Sequence, residues 1–364
     1  MNPRVLWQVG ARIRVRARAL RRSTGQAPRG RVRLRRRWIL ALAVIGALLV
    51  LPVGSAALAL RLADAGDPAA QARSRGRDAA WLGHAWVDGH KGPAELAALP
   101  QLVRGGIRDL YVHTGPLEAD GSLRADRYPQ ARQLVDAVHR ELPGVRVQAW
   151  LGNVVAPEHE EGLHLDRPEV RQRITESAAQ VLDAGFDGVH YDLEPVHSGS
   201  AGFLTLLDQT HELTVARGVP LSVAAPQIDP LPALHSVAGA LTGHPKWWSQ
   251  EYFGQVARRV EQIAVMSYDT AMPLPTLYGG YVAQQTELAL EATPEAVDLL
   301  MGLPAYDADE WGHRGSAETV PAAVRGIRLG LSRQAVGRQT FGVAVYADFS
   351  ATAADWESYR RDWC

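Results

Sequence analysis

The stretch Phe186-Asp187-Gly188-Val189-His190-Tyr191-Asp192-Leu193-Glu194-Pro195 alternates polar and apolar side chains with a period of two. A strand sends successive side chains to opposite faces, so Gly188, His190, Asp192 and Glu194 share one side and Val189, Tyr191 and Leu193 the other. The apolar side calls for covering helices, and the polar side for an interior. A helix-like run ends at Gly185 and another follows Ser200, so the strand reads as parallel to its neighbours, with Glu194 at its C-terminal end. The bland alternative is a strand whose acids cap neighbouring helices.

Working outward, strand-like and helix-like runs alternate from Ala79 to the end of the chain. The strands read as Ala80–Asp88, Leu110–His113, Val145–Leu151, the opening stretch, Pro220–Gln227, Gln262–Tyr268, Val297–Ala305 and Thr340–Ala347. Between and after them come helical runs at Pro93–Arg104, Tyr128–Leu142, Pro168–Ala184, Gly202–Arg217, Trp248–Val260, Gln284–Ala292, Val320–Leu331 and Ala353–Trp363. Eight such pairs predict a closed (β/α)8 TIM barrel over residues 79–364, with a doubly wound open sheet as the competing topology. In such a barrel Glu194 stands at the mouth. The loop after strand seven is short, which predicts a shallow, open cleft.

The segment FDGVHYDLE resembles the strand-four signature DGxDxDxE of family 18 glycoside hydrolases, the chitinase family. Asp187, Gly188, Asp192 and Glu194 match it, while His190 stands where that family has its middle Asp. Val265-Met266-Ser267-Tyr268-Asp269 resembles the family's M-x-Y-D signature at strand six. The resemblance implies a glycosidase with Glu194 as proton donor. It further implies that the sugar's own 2-acetamido group is the nucleophile, oriented by Asp192 and hydrogen-bonded by Tyr268. Met266, Asp269, Tyr346, Asp348, Trp86, Trp150 and His190 are the expected substrate-binding residues, with Trp311 also near a strand end. His190 is expected to hydrogen-bond Asp192 deeper in the barrel, and Asp192 to raise the pKa of Glu194.

Other chemistries are weaker on the residues themselves. His84, Asp88, His90 and His190 could suggest a metal site, but strands five and six supply no histidine, so no metal and no cofactor is expected. Strand seven, Leu299 to Ala305, ends without a carboxylate; Asp307, Asp309 and Glu310 in the following loop remain as nucleophiles for a glycosidase acting on sugars that lack the acetamido group. A carbohydrate-binding barrel without turnover is the non-enzymatic alternative.

The net charge of zero conceals a division of the chain. Thirteen arginines lie between Arg4 and Arg37 and no acid precedes Asp64, which leaves 26 bases against 39 acids after Arg37. Trp38 to Leu60 holds no charged residue over 23 positions, enough for a bilayer core of about 30 Å. The expected organisation is a basic cytoplasmic tail (1–37), a transmembrane anchor or signal segment (38–60), a linker (61–78) and an extracytoplasmic barrel. Ala57-Leu58-Ala59 offers a cleavage site through which the barrel would be secreted. A membrane segment accounts for the arginines without nucleic acid. The sole cysteine, Cys364, excludes an intrachain disulfide, so the barrel must be stable through its core. Two lysines among 39 basic residues suggest a bacterial source. One large domain is expected to work as a monomer on a carbohydrate polymer or oligosaccharide.

Overall fold

The computed structural model describes residues 51–364, apart from 235, 237–245 and 311. The basic tail and most of the expected membrane segment therefore lie outside the described residues. Residues 51–63 are helical, and among the described residues no helix is long and apolar enough to cross a membrane. The chain divides into two compact units, 1–54 and 55–364. The second unit is described below.

Eight parallel strands close on one another: β1 (Asp78–Leu82), β2 (Ile107–Pro116), β3 (Arg146–Val154), β4 (Gly188–Glu194), β5 (Leu221–Ala225), β6 (Gln262–Val265), β7 (Asp298–Pro304) and β8 (Phe341–Tyr346). Each pairs with the next, and β8 returns to β1 with Ala344 opposite Ala79. That last pairing excludes an open sheet. The helices between are α1 (Pro93–Leu102), α2 (Ala131–Glu141), α3 (Pro168–Asp183), α4 (Ala201–Arg217), α5 (Gln250–Ala257), α6 (Pro275–Ala292), α7 (Val320–Gln334) and α8 (Ala353–Ser358).

Local signals set several of these boundaries. Ser200, Ser249 and Thr319 accept the backbone N–H groups of Phe203, Tyr252 and Ala322, opening α4, α5 and α7. Three elements differ most from expectation. β1 stops at Leu82 instead of running to Asp88, and a short 3-10 turn over His84–Trp86 follows it. β6 stops at Val265, so Met266 and Tyr268 lie just past its end. α6 begins at Pro275 instead of Gln284, because it is buried on most sides and shows no one-sided apolar stripe. One side of it meets α7 so closely that a Cβ on Gly326 would stand 2.2 Å from the Gly279 carbonyl oxygen.

The stretch expected to be a linker lies against the barrel. Arg325 donates to the carbonyl oxygens of Asp64 and Gly66, Arg333 to that of Ala65, and Arg328 to that of Ala72, all from α7. Asp64 is itself buried beside Arg325, 3.3 Å away, and Ala72 is wholly buried.

Two apolar layers result. The larger lies between barrel and helices; the smaller fills the barrel, where Ala79, Trp81, Tyr111, Trp150, Ala224, Ala264, Leu300 and Ala344 meet. Below it the interior is polar. Asp109 is paired with Arg146 at 2.7 Å and accepts from Gln148 and Gln262, which leaves neither carboxylate oxygen unpaired.

Candidate active site

The parity read from the sequence puts Asp192 and Glu194 on the inner face of β4, with Gly152 and Val154 of β3 opposite them. Asp192 is half-buried and Glu194 opens to solvent at the mouth. Tyr268 is buried, and its ring stacks on Tyr346 with centroids 5.4 Å apart. Room for it exists because residue 302 is glycine: a Cβ there would lie 2.7 Å from Tyr268 Cε1 and 2.9 Å from the Val265 carbonyl oxygen.

Three more aromatic rings complete this wall. Trp81 meets Tyr346 at 5.6 Å, Trp150 meets it at 6.4 Å, and Tyr306 stands edge-on to both Tyr268 and Tyr346. Flat apolar faces with polar edges suit a sugar ring. Within this enclosure two polar atoms are buried without a hydrogen-bond partner: Asp192 Oδ1 and the Tyr268 hydroxyl. Buried polar atoms are seldom left so, and here they amount to one acceptor and one donor.

The electrostatics follow from crowding. Glu194 keeps an open side, but burial of its surroundings and the Asp192 and Asp269 charges raise its pKa. Burial also raises that of Asp192, against an opposing effect of the Trp150 indole. Asp269 has a φ of 59°, in the left-handed region, and its Oδ1 accepts from the Tyr306 hydroxyl and from His313 Nδ1 at 3.0 Å. Asp269, His313 and Glu318 could together hold a cation by donor type. Glu318, however, already accepts the backbone N–H groups of Thr270, Ala271 and Arg314.

His190 does not bond to Asp192. Its Nε2 accepts the Trp81 indole N–H at 3.0 Å and its Nδ1 meets Ser222 Oγ at 2.7 Å, so both ring nitrogens are engaged. The indole can only donate, which fixes the neutral tautomer with the proton on Nδ1; Ser222 then donates to Gln148. Burial lowers the His190 pKa to about 3. The imidazole is also fully buried, stacked 3.7 Å from the Tyr111 ring, and cannot reach a substrate.

Trp86 and Asp348 are engaged with one another as well. Asp348 accepts from the Trp86 indole at 2.7 Å, from Lys91 Nζ at 3.0 Å and from Gly83 N at 2.7 Å, while Lys91 covers the Trp86 ring. They tie the loop after β1 to the end of β8 and present no free polar edge. Met266, like Tyr346, packs on the inner apolar layer. Asp309 accepts from Gly315 within its own loop, and Asp307 lies against the same glycine. Trp311 and the Glu310 side chain lie outside the described residues. Sequence reasoning overlooked Trp81, Tyr306, His313 and His113, the last packed edge-on to Trp150 at 4.8 Å. Strand parity would have placed Trp81 and His113 inside; the loop position of Tyr306 and His313 gave no such signal.

No protein-family model matches the chain, and no curated protein sequence matches it significantly. Solved structures do. The spore cortex-lytic enzyme SleL of Bacillus megaterium is 12% identical, over 80% of this chain and 75% of that one, at a TM-score of 0.56. A chitinase from Chromobacterium violaceum is 15% identical over 78% of this chain and 98% of its own, at 0.55. A group IV chitinase of Ostrinia furnacalis, 20% identical, is spanned over 66% of its length at 0.44, too loosely to carry an argument. At these identities the shared property is the fold, a chitinase-like closed parallel barrel.

Proposed function

We propose that the chain is a glycoside hydrolase that cleaves N-acetylated amino-sugar glycans with retention of configuration, using the sugar's 2-acetamido group as nucleophile. The observation that carries this reading is the unfilled pair, Asp192 Oδ1 and Tyr268 OH, inside the aromatic wall beside Glu194. An acetamide has one N–H and one C=O. Its N–H fits the carboxylate, and its carbonyl oxygen fits the phenol. Held so, the carbonyl oxygen can attack the anomeric carbon as Glu194 donates its proton to the leaving oxygen; water then opens the cyclised intermediate with Glu194 as base. The raised pKa of Glu194 keeps the proton available, and Asp192 stabilises the positive charge that develops on the acetamide nitrogen.

Of the loop carboxylates, Asp307 and Asp309 lie against Gly315, which disfavours these two as nucleophiles. The charge division of the sequence supports a cytoplasmic tail, an anchor through residues 38–60 and an extracytoplasmic barrel. The deciding experiment digests matched oligosaccharides with and without the acetamido group and follows the product anomer by proton NMR. Cleavage of the acetamido substrate alone, with retention, is expected. Equal rates on both, or inversion, would refute the mechanism.

A further inference from the structure

We propose that the barrel rests its mouth on the membrane, so that the glycan it meets is one displayed at the lipid surface. This rests on the anchored-hydrolase reading above and adds to it an orientation and a source of substrate.

The first observation is where the uncharged run meets the barrel. The run ends at Leu60 and its 23 uncharged positions suffice for a bilayer core of about 30 Å. Leu60 is already seated on α6: a Cβ at Gly280 would lie 1.9 Å from the Leu60 carbonyl oxygen. Asp64 is held by Arg325, so no free spacer lies between Leu60 and the barrel. The same turn of α6 carries Tyr278, whose hydroxyl donates to the Ser267 carbonyl at 3.0 Å, next to Tyr268. The tether therefore joins the barrel at the height of the catalytic mouth.

The second observation is independent of the tether. Outside the 51–63 helix, six large apolar side chains are exposed among the described residues. Val154, Leu231, Leu274 and Phe349, between 41% and 64% exposed, lie at or beyond the C-terminal ends of β3, β5, β6 and β8, on the mouth rim. Only Val215 and Val336 lie at the other end. An apolar rim around a polar cleft is what contact with a lipid interface requires. Cys364 lies at the opposite end, since its neighbour Trp363 bonds Asp78 at the start of β1.

The test uses the full chain in phosphatidylethanolamine–phosphatidylglycerol vesicles bearing a headgroup quencher. One sample carries a fluorophore on the native Cys364; the other is a Cys364→Ser, Leu274→Cys variant with the same fluorophore. Quenching at position 274 is expected to be several-fold stronger than at 364. Adding Leu231→Asp and Phe349→Asp should reduce that difference while the protein still floats with the vesicles. Equal quenching at the two positions, stronger quenching at 364, or a rim variant without effect would overturn the proposal. Flotation reports on the anchor and cleavage of soluble acetamido oligosaccharides on the hydrolase, so failure of either is distinguished from failure of the orientation.

Discussion

Trp81 donates its indole N–H to His190 Nε2 at 3.0 Å, and this bond sets which nitrogen of the buried imidazole carries the proton at the centre of the barrel. Trp81→Phe leaves that nitrogen buried and unpaired, which should cost about 1–3 kcal/mol in denaturant unfolding. The pH dependence has a definite sign. Burial depresses the folded pKa of His190 from 6.5 to about 3, so below 6.5 the unfolded chain takes up a proton that the folded chain refuses. The stability this group contributes is therefore present above pH 6.5 and lost between 6.5 and 3. His190→Gln should be less stable at neutral pH but show a shallower loss across that window.

Glu194→Gln keeps the size of the proposed proton donor and removes its proton. Turnover should fall by about 10²- to 10⁴-fold while oligosaccharide binding persists. Hydrolysis at the parent rate would assign the acid to another residue.

Asp269 is one of the charges that raise the Glu194 pKa. Removing that charge with Asp269→Asn should lower it, so the alkaline limb of the kcat profile moves to lower pH. An unmoved limb would mean that Asp269 is screened from the acid.

A thiazoline mimic of the cyclised intermediate should inhibit the enzyme, because it resembles the transition state in shape and charge. Asp192→Asn and Tyr268→Phe should each weaken that inhibition. Asp307→Asn should leave it unchanged, since Asp307 lies against Gly315 in its own loop.

The Asp348 side chain is nearly inaccessible and holds Lys91, Trp86 and Gly83 together. Asp348→Ala breaks a largely buried ion pair and should cost about 3–5 kcal/mol of stability. Trp86→Phe should lower the melting temperature with little change in KM, the reverse of what a sugar-stacking residue would give.

The barrel was legible because its strands carry one-sided patterns and its helices mostly carry stripes. The mouth position of Asp192 and Glu194 followed from parity and strand count, whereas Tyr268, which lies past the end of β6, was found through the resemblance of its motif. What the sequence could not convey was which partner each polar side chain takes. His190 sits one pleat below Asp192 on the same face, so parity made them look like partners, yet Trp81 from β1 and Ser222 from β5 reach it first. Asp348 failed similarly: a carboxylate two residues past β8 reads as a mouth residue until Lys91 closes on it from the loop after β1. Residues 61–78 looked like a spacer because their docking runs through backbone carbonyls, which leave no side-chain pattern.

That strap on α7 decides where the polypeptide can be severed. A cut within Ala57-Leu58-Ala59 would free a barrel that keeps Asp64 on Arg325 and Ala72 on Arg328. Trimming at Ala79, where the strand pattern begins, would instead uncover the α7 face and remove Asp78, which accepts from Val343 N, Tyr359 OH and Trp363 Nε1. A soluble form of the barrel would thus begin some twenty residues before its first recognisable strand, and under the anchoring proposed above, release of the barrel and survival of the released protein would depend on the same short piece of chain.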